Sequence, residues 1–197
     1  MTTRKAWIAA MGFLAALAFG GLAGCETAAQ RSAEPDPTYE EAALSLFIRA
    51  NYKAADELMT TSPAAAANNW GASGGGAMLV ATVADINTLE QSSALGRLIS
   101  EHLSSRLAQR GRNVVEMKLR NSVFVRNNQG EFLLTREIRE LARAHNAGAV
   151  VVGTYTDGNT FVFVSLKLID PASGIILAAH DYALPMDRQV RRLVSKR

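Results

Sequence analysis

A single cysteine, three histidines and two tryptophans are the whole stock of those residues in this chain, and aromatic side chains make up only 7% of it. One thiol, Cys25, excludes an internal disulfide, so the core must hold without a covalent staple. His102, His145 and His180 lie far apart, and no set of His, Cys or carboxylates has the short helical or loop spacing that a metal site needs. Charge of neither sign dominates. The formal net charge is +3, and aromatic residues are not interleaved with a basic stripe, which argues against a nucleic-acid partner. The apolar run from Ala6 to Phe19 is shorter than the roughly 20 residues that a permanent spanning helix needs.

Arg4 and Lys5 precede that run, which gives it the form of a secretory signal over residues 1–24. Leu22-Ala23-Gly24-Cys25 follows and fits the lipobox of bacterial lipoproteins, where small residues admit the peptidase and the thiol carries a diacylglycerol. A lone cysteine can also be a free thiol or a small buried apolar residue. Its place after Leu-Ala-Gly and before a polar stretch decides for lipidation of Cys25. Loss of Arg4 and Lys5 with the signal lowers the formal charge from +3 to +1. Each buried CH₂ contributes about 0.8 kcal/mol, so two or three acyl chains anchor durably where one does not. In lipoproteins of Gram-negative bacteria an aspartate after the cysteine favours the inner membrane; Glu26 stands here and points to the outer membrane.

Residues 25–38 are small and polar, interrupted by Pro35 and Pro37, and are expected to form a flexible tether. A first helix is predicted from Tyr39 to Met59, because Ala43, Leu46, Phe47, Ala50, Ala54 and Leu58 share a face at spacings of three and four. Pro63 ends it, and an Ala/Asn/Gly linker leads to a main domain over residues 77–185. A basic tail over 186–197 carries Arg188, Arg191, Arg192, Lys196 and Arg197. It reads either as a solvated or disordered end or as a contact with anionic lipid or glycan.

Within the main domain, Met78 to Val83 reads as a buried strand, and Asp85-Ile86-Asn87 as a turn. Ser92 or Ser93 caps a second helix with Leu95, Leu98, Ile99, Leu103 and Leu107 inward and Arg97, Glu101, Ser104 and Ser105 outward. Gly111 stops it. Val114 to Leu119 alternates as a strand with Val115, Met117 and Leu119 on its buried face, and Val123 and Val125 extend it or form an edge. Thr135 opens a third helix, with Ile138, Leu141, Ala142 and His145 along one face. Three strands follow, Ala149 to Thr156, Phe161 to Ile169 and Ile175 to Ala183, joined by Asp157-Gly158 and by a turn from Asp170 to Gly174. The order β-α-β-α-β-β-β predicts an α+β two-layer sandwich: a mixed sheet with helices on one face, plus the N-terminal helix. Val162, Val164, Leu166 and Leu168 are expected to face the core. On the other side, Phe161 and Phe163 either form a contact surface, with Ser165 and Lys167, or pack beneath the first helix and linker.

Five segments carry a family likeness: Ser92-Ser93-Ala94-Leu95-Gly96-Arg97-Leu98-Ile99-Ser100-Glu101, Arg110-Gly111-Arg112-Asn113-Val114-Val115-Glu116, Gly130-Glu131-Phe132-Leu133-Leu134-Thr135-Arg136-Glu137, Gly153-Thr154-Tyr155 and Ala179-His180-Asp181-Tyr182-Ala183-Leu184-Pro185. In this order they resemble the FlgO family of flagellum-associated outer-membrane lipoproteins over roughly Tyr52 to Pro185. The resemblance implies a protein needed for normal motility, at the outer membrane where the flagellar rod and its rings pass through, and it implies no catalytic residues. A weaker likeness to periplasmic domains of curli secretion proteins and peptidoglycan-synthase activators keeps a second function open. The Ala/Gly-rich stretch before Met78 and the tail after Pro185 fall outside the resemblance.

The remaining candidates for chemistry are scattered. His102 and His145 lie on or beside apolar helix stripes, where a hydrogen-bonded structural histidine is expected. His180 and Asp181 are neighbours in a strand and point to opposite faces, so they cannot act as an oriented couple. The glycines of Gly71 to Gly76 lack the following lysine of a phosphate loop and precede a strand. Arg97 with Glu101, and Arg136 with Glu140, are spaced as ordinary helix pairs. The sequence thus predicts no enzyme, no cofactor and no metal, but an outer-membrane lipoprotein bearing palmitate at Cys25 that acts by protein contacts in flagellar assembly, stability or motility. The alternative is an accessory of a secretion channel or a regulator of a cell-wall synthase; a tether of about 13 residues spans at most roughly 45 Å, too short to carry the domain far across the periplasm. Partners are expected to be the membrane, through the lipid, and flagellar or envelope proteins. A homo-oligomer suits a rotationally symmetric neighbour, but no residue pattern shows one.

Overall fold

Helix α1 (Leu46–Thr61) starts at Ser45, whose hydroxyl accepts from the Ile48 amide at 3.4 Å. It stops where Ser62, the residue before Pro63, takes the extended backbone that a following proline imposes. The computed structural model describes residues 38, 41, 45–62, 76–89, 91–117, 124–126, 132–134 and 136–195. The expected signal, Cys25, the expected tether up to Pro37 and most of the linker lie outside them. So does most of the helix expected before Leu46. The expected stripe is right at Ala54 and Leu58, both buried, but Leu46 is 62% exposed, and Asn51 and Ala55 take places in the core instead.

Strand β1 (Ala77–Ala81) and the short β2 (Ala84–Asp85) replace the single strand expected over Met78–Val83. Helix α2 (Ala94–Gln109) causes the break. Its Ser100 hydroxyl accepts from the Val83 amide and donates to the Gly96 carbonyl, both at 2.9 Å, while the Ser92 hydroxyl donates to the Val83 carbonyl at 2.7 Å. Both backbone groups of Val83 are thereby satisfied by side chains rather than by a neighbouring strand. Ser93, not Ser92, caps α2, accepting from the Gly96 amide at 3.4 Å. At the other end Gly111 takes φ +77°, and the Gly111 and Arg112 amides close onto the Ala108 and Leu107 carbonyls at 2.9 and 3.1 Å. Ser104, expected to face outward, has its hydroxyl oxygen buried.

Strand β3 (Val114–Met117) pairs in parallel with β1. The segment expected to extend it or to form an edge does neither in the main sheet: β4 (Phe124–Arg126) and β5 (Phe132–Leu134) pair with each other as a separate antiparallel ribbon. Helix α3 (Arg136–Ala144) then leads to β6 (Ala147–Asp157), β7 (Phe161–Ile169) and β8 (Ile176–Pro185), an antiparallel meander. The main sheet runs β3-β1-β6-β7-β8, with β2 also alongside β6. Since β1 is parallel to both β3 and β6, β2 is parallel to β6, and β6, β7 and β8 pair antiparallel, the fold is the expected α+β arrangement on a mixed sheet.

One helix lies on the face that the sequence left bare. Met78, Val80, Val151 and Val164 point to the core shared with α1 and α2, whereas Leu79, Ala81, Val150 and Val152 pack with Ile138 and Ala142 of α3 on the other side. Topology requires this. The β1-α2-β3 crossover moves one way along the sheet and β3-α3-β6 moves back past β1; two crossovers of the same hand running in opposite directions place their helices on opposite faces.

The basic tail is ordered as well. Asp187 caps helix α4 (Arg188–Val194) by accepting from the Val190 amide at 2.7 Å, and Val190, Leu193 and Val194 pack on the main core. Lys196 and Arg197 lie outside the described residues.

Candidate interaction surface

Side chains alternate along β7, so Val162, Val164, Leu166 and Leu168 enter the core as expected and Phe161, Phe163, Ser165 and Lys167 take the opposite face. Helix α3 covers one end of that face. With 9 residues it is about 13 Å long, against about 36 Å for the 11 residues of β6. Among the described residues, the far half of β6 and β7 therefore lacks a covering helix. There Phe161 is 44% exposed, Phe163 is 56% exposed, and Ile86, fixed by its amide to the Tyr155 carbonyl at 2.9 Å, is 37% exposed. Of the two readings of these aromatics, packing beneath the first helix is overturned, because α1 sits on the other face with Val162 and Val164.

Phe163 lies between Thr156 of β6 and Ala183 of β8, and Ser165 between Thr154 and Asp181. These rows line a shallow groove of about 580 Å³ with an apolar floor and hydroxyl and carboxylate edges. Threonine, serine and one carboxylate around the exposed Phe163 can hold a protein side chain by apolar contact and a few hydrogen bonds. His180 points to the helix side, with its ring 6.0 Å from that of Tyr182, while Asp181 lies on the groove side, so the two do not meet as a catalytic couple.

The histidines fall differently from each other. His145 follows the end of α3 and is exposed, not on the apolar stripe, because the helix ends at Ala144 and Asn146 turns the chain with φ 49°. His102 is structural, as expected. Its Nδ1 accepts from the Asn51 amide at 2.9 Å, and the Asn51 oxygen accepts from the Tyr182 hydroxyl at 2.5 Å. An amide nitrogen only donates, so the ring proton of His102 sits on Nε2. Burial holds the His102 pKa below its ordinary value against the opposing pull of Glu101, and burial pushes that of Tyr182 up. Asp56 of α1 accepts paired hydrogen bonds from Arg110, which caps the end of α2, and from Arg106 of α2 at 2.7 to 3.0 Å, and these guanidinium groups lower its pKa to about 2. Among the described residues no group of three His, Cys, Asp or Glu could hold a metal, and no helix is long and apolar enough to cross a membrane.

Sequence reasoning missed Asn51 and Tyr155. The Tyr155 hydroxyl accepts the Ser93 amide at 3.0 Å, which satisfies one of the open donors at the start of α2. It joins two of the segments that carried the likeness, and their glycines explain why: a Cβ at Gly96 would overlap the Val83 carbonyl, and one at Gly153 would stand 2.6 Å from Leu166.

A mixed-sheet α+β domain with a half-covered sheet face is the class these features define. The chain belongs to the FlgO family: the family model described as FlgO protein matches residues 52–189. That match runs into α4, beyond the Pro185 limit read from the sequence. No match emerged among curated proteins. Among solved structures, the LpoB C-terminal domain from Salmonella enterica is similar at 12% identity and TM-score 0.46, over 71% of this chain and 98% of that one. A PelC dodecamer from Paraburkholderia phytofirmans is similar at 17% identity and TM-score 0.40, over 56% and 71%. Lipoprotein GNA1162 from Neisseria meningitidis is similar at 18% identity and TM-score 0.37, over 58% and 83%. None of these likenesses bears on function.

Proposed function

We propose that this protein is a lipoprotein held at the outer membrane by acyl chains on Cys25, and that it serves the flagellum by binding envelope or flagellar proteins rather than by chemistry of its own. Membership of the FlgO family supports the flagellar setting. The lipobox and Glu26 support the anchor and its membrane. The observation that carries the contact role is the pair Phe161 and Phe163, set on a well-paired strand yet left 44% and 56% exposed. Polar residues there would serve the fold equally well, so apolar rings at those places fit a partner.

The test replaces both rings, Phe161→Ser with Phe163→Ser, in a strain whose own copy is deleted, and scores swimming in soft agar. Impaired swimming at a normal cellular level of the variant is the expected result. Wild-type swimming overturns this role for the face.

A further inference from the structure

Arg191 and Arg192 of α4 are exposed. Val190, Leu193 and Val194 share the face that packs on the core, so Arg188, Arg191 and Arg192 stand outward. Arg97, exposed on α2, lines a shallow groove together with Arg192, with Gln91, Ser92, Ser93 and Ser195 between them. Arg97 gives one N–H to the Ser92 carbonyl at 3.0 Å, and Arg191 reaches the Met186 carbonyl only at 3.5 Å. Each therefore keeps most of its five donors. The single carboxylate within residues 187–195 is Asp187, whose Oδ1 already caps the helix.

We infer that this arginine face, Arg97, Arg191 and Arg192, is a docking surface for an anionic phospholipid membrane. All three cations are arginine, whose planar fork meets phosphate oxygens in pairs. They are spread over an outward helix face held in place by packing, which suits a flat surface of laterally mobile headgroups. The groove between them has no aromatic lining residue on which a sugar ring could stack. The apolar side of α4 is committed to the core, so the helix lies on the headgroups electrostatically and does not insert. This surface is separate from the Phe161–Phe163 face and does not depend on the acyl anchor; in an anchored chain it sets which way the domain faces.

Vesicle co-sedimentation tests it with the chain from residue 25 onward carrying Cys25→Ser, so that no lipid contributes. The expected result is binding to phosphatidylcholine vesicles that contain phosphatidylglycerol, little binding to pure phosphatidylcholine, and release by added salt. Arg191→Gln with Arg192→Gln should weaken partitioning roughly 25-fold, at about a factor of five per charge. Arg97→Gln alone, on a different helix, should weaken it about fivefold. An unchanged thermal midpoint in each variant shows that the fold is intact. Equal binding to neutral and anionic vesicles, equal binding by the variants, or retention on purified cell-wall sacculi without binding to vesicles would each overturn the inference.

Discussion

The side-chain amide of Asn51, fully buried on α1, donates to Nδ1 of His102 on α2, and its oxygen accepts from Tyr182 on β8. One residue thus ties the first helix to both its neighbours. Asn51→Leu leaves a ring nitrogen and a hydroxyl without partners and should cost about 3 kcal/mol in urea unfolding.

The same link makes stability depend on pH. The His102 pKa is lowered by burial from 6.5, so the unfolded chain binds more protons than the folded one near that value. The contribution is complete above pH 6.5 and is lost as pH falls below it. Urea midpoints measured at about pH 8 and about pH 5 should fall on acidification, and His102→Gln should flatten that difference.

Asp56 acts in a lower window. Its folded value of about 2 lies below 3.8, so its contribution is present above 3.8 and disappears as pH falls towards 2. The pair with Arg106 is only partly shielded, with side chains about a quarter exposed. Asp56→Asn should therefore cost only about 1 kcal/mol at neutral pH, less at high salt, as thermal unfolding with and without added salt will show.

Gly96→Ala is a contest of two effects. Alanine is favoured over glycine in a helix interior by about 1 kcal/mol. At this position its Cβ would overlap the Val83 carbonyl and crowd the Ser92 hydroxyl, neither of which can yield without moving β2 away from α2. Overpacking wins, with an expected loss of about 2 kcal/mol or more in denaturant unfolding. A stabilised variant would show that the α2 start is looser than its hydrogen bonds indicate.

Periodicity made the meander and α2 legible, because β7 alternates from Phe161 to Leu168 and Gly111 punctuates the helix. It could not show the side of the sheet on which α3 lies, since that follows from the strand order β3-β1-β6, a non-local fact. The ion pairs of Asp56 join residues 50 and 54 positions apart, beyond any helical window. Asn51 was hidden because an amide on an apolar stripe looks like a misplaced polar residue until Tyr182 arrives from 131 positions away. The exposed face was half legible: alternation put Phe161 and Phe163 opposite the core, and only the shortness of α3 left them uncovered.

The most direct test of the account is metabolic labelling with an alkyne analogue of palmitate, followed by membrane fractionation of the wild-type chain and of Cys25→Ser. The account predicts label on the wild-type chain in the outer-membrane fraction, and an unlabelled serine variant that fails to reach that fraction. A wild-type chain without label, or a serine variant that still fractionates with the outer membrane, contradicts it.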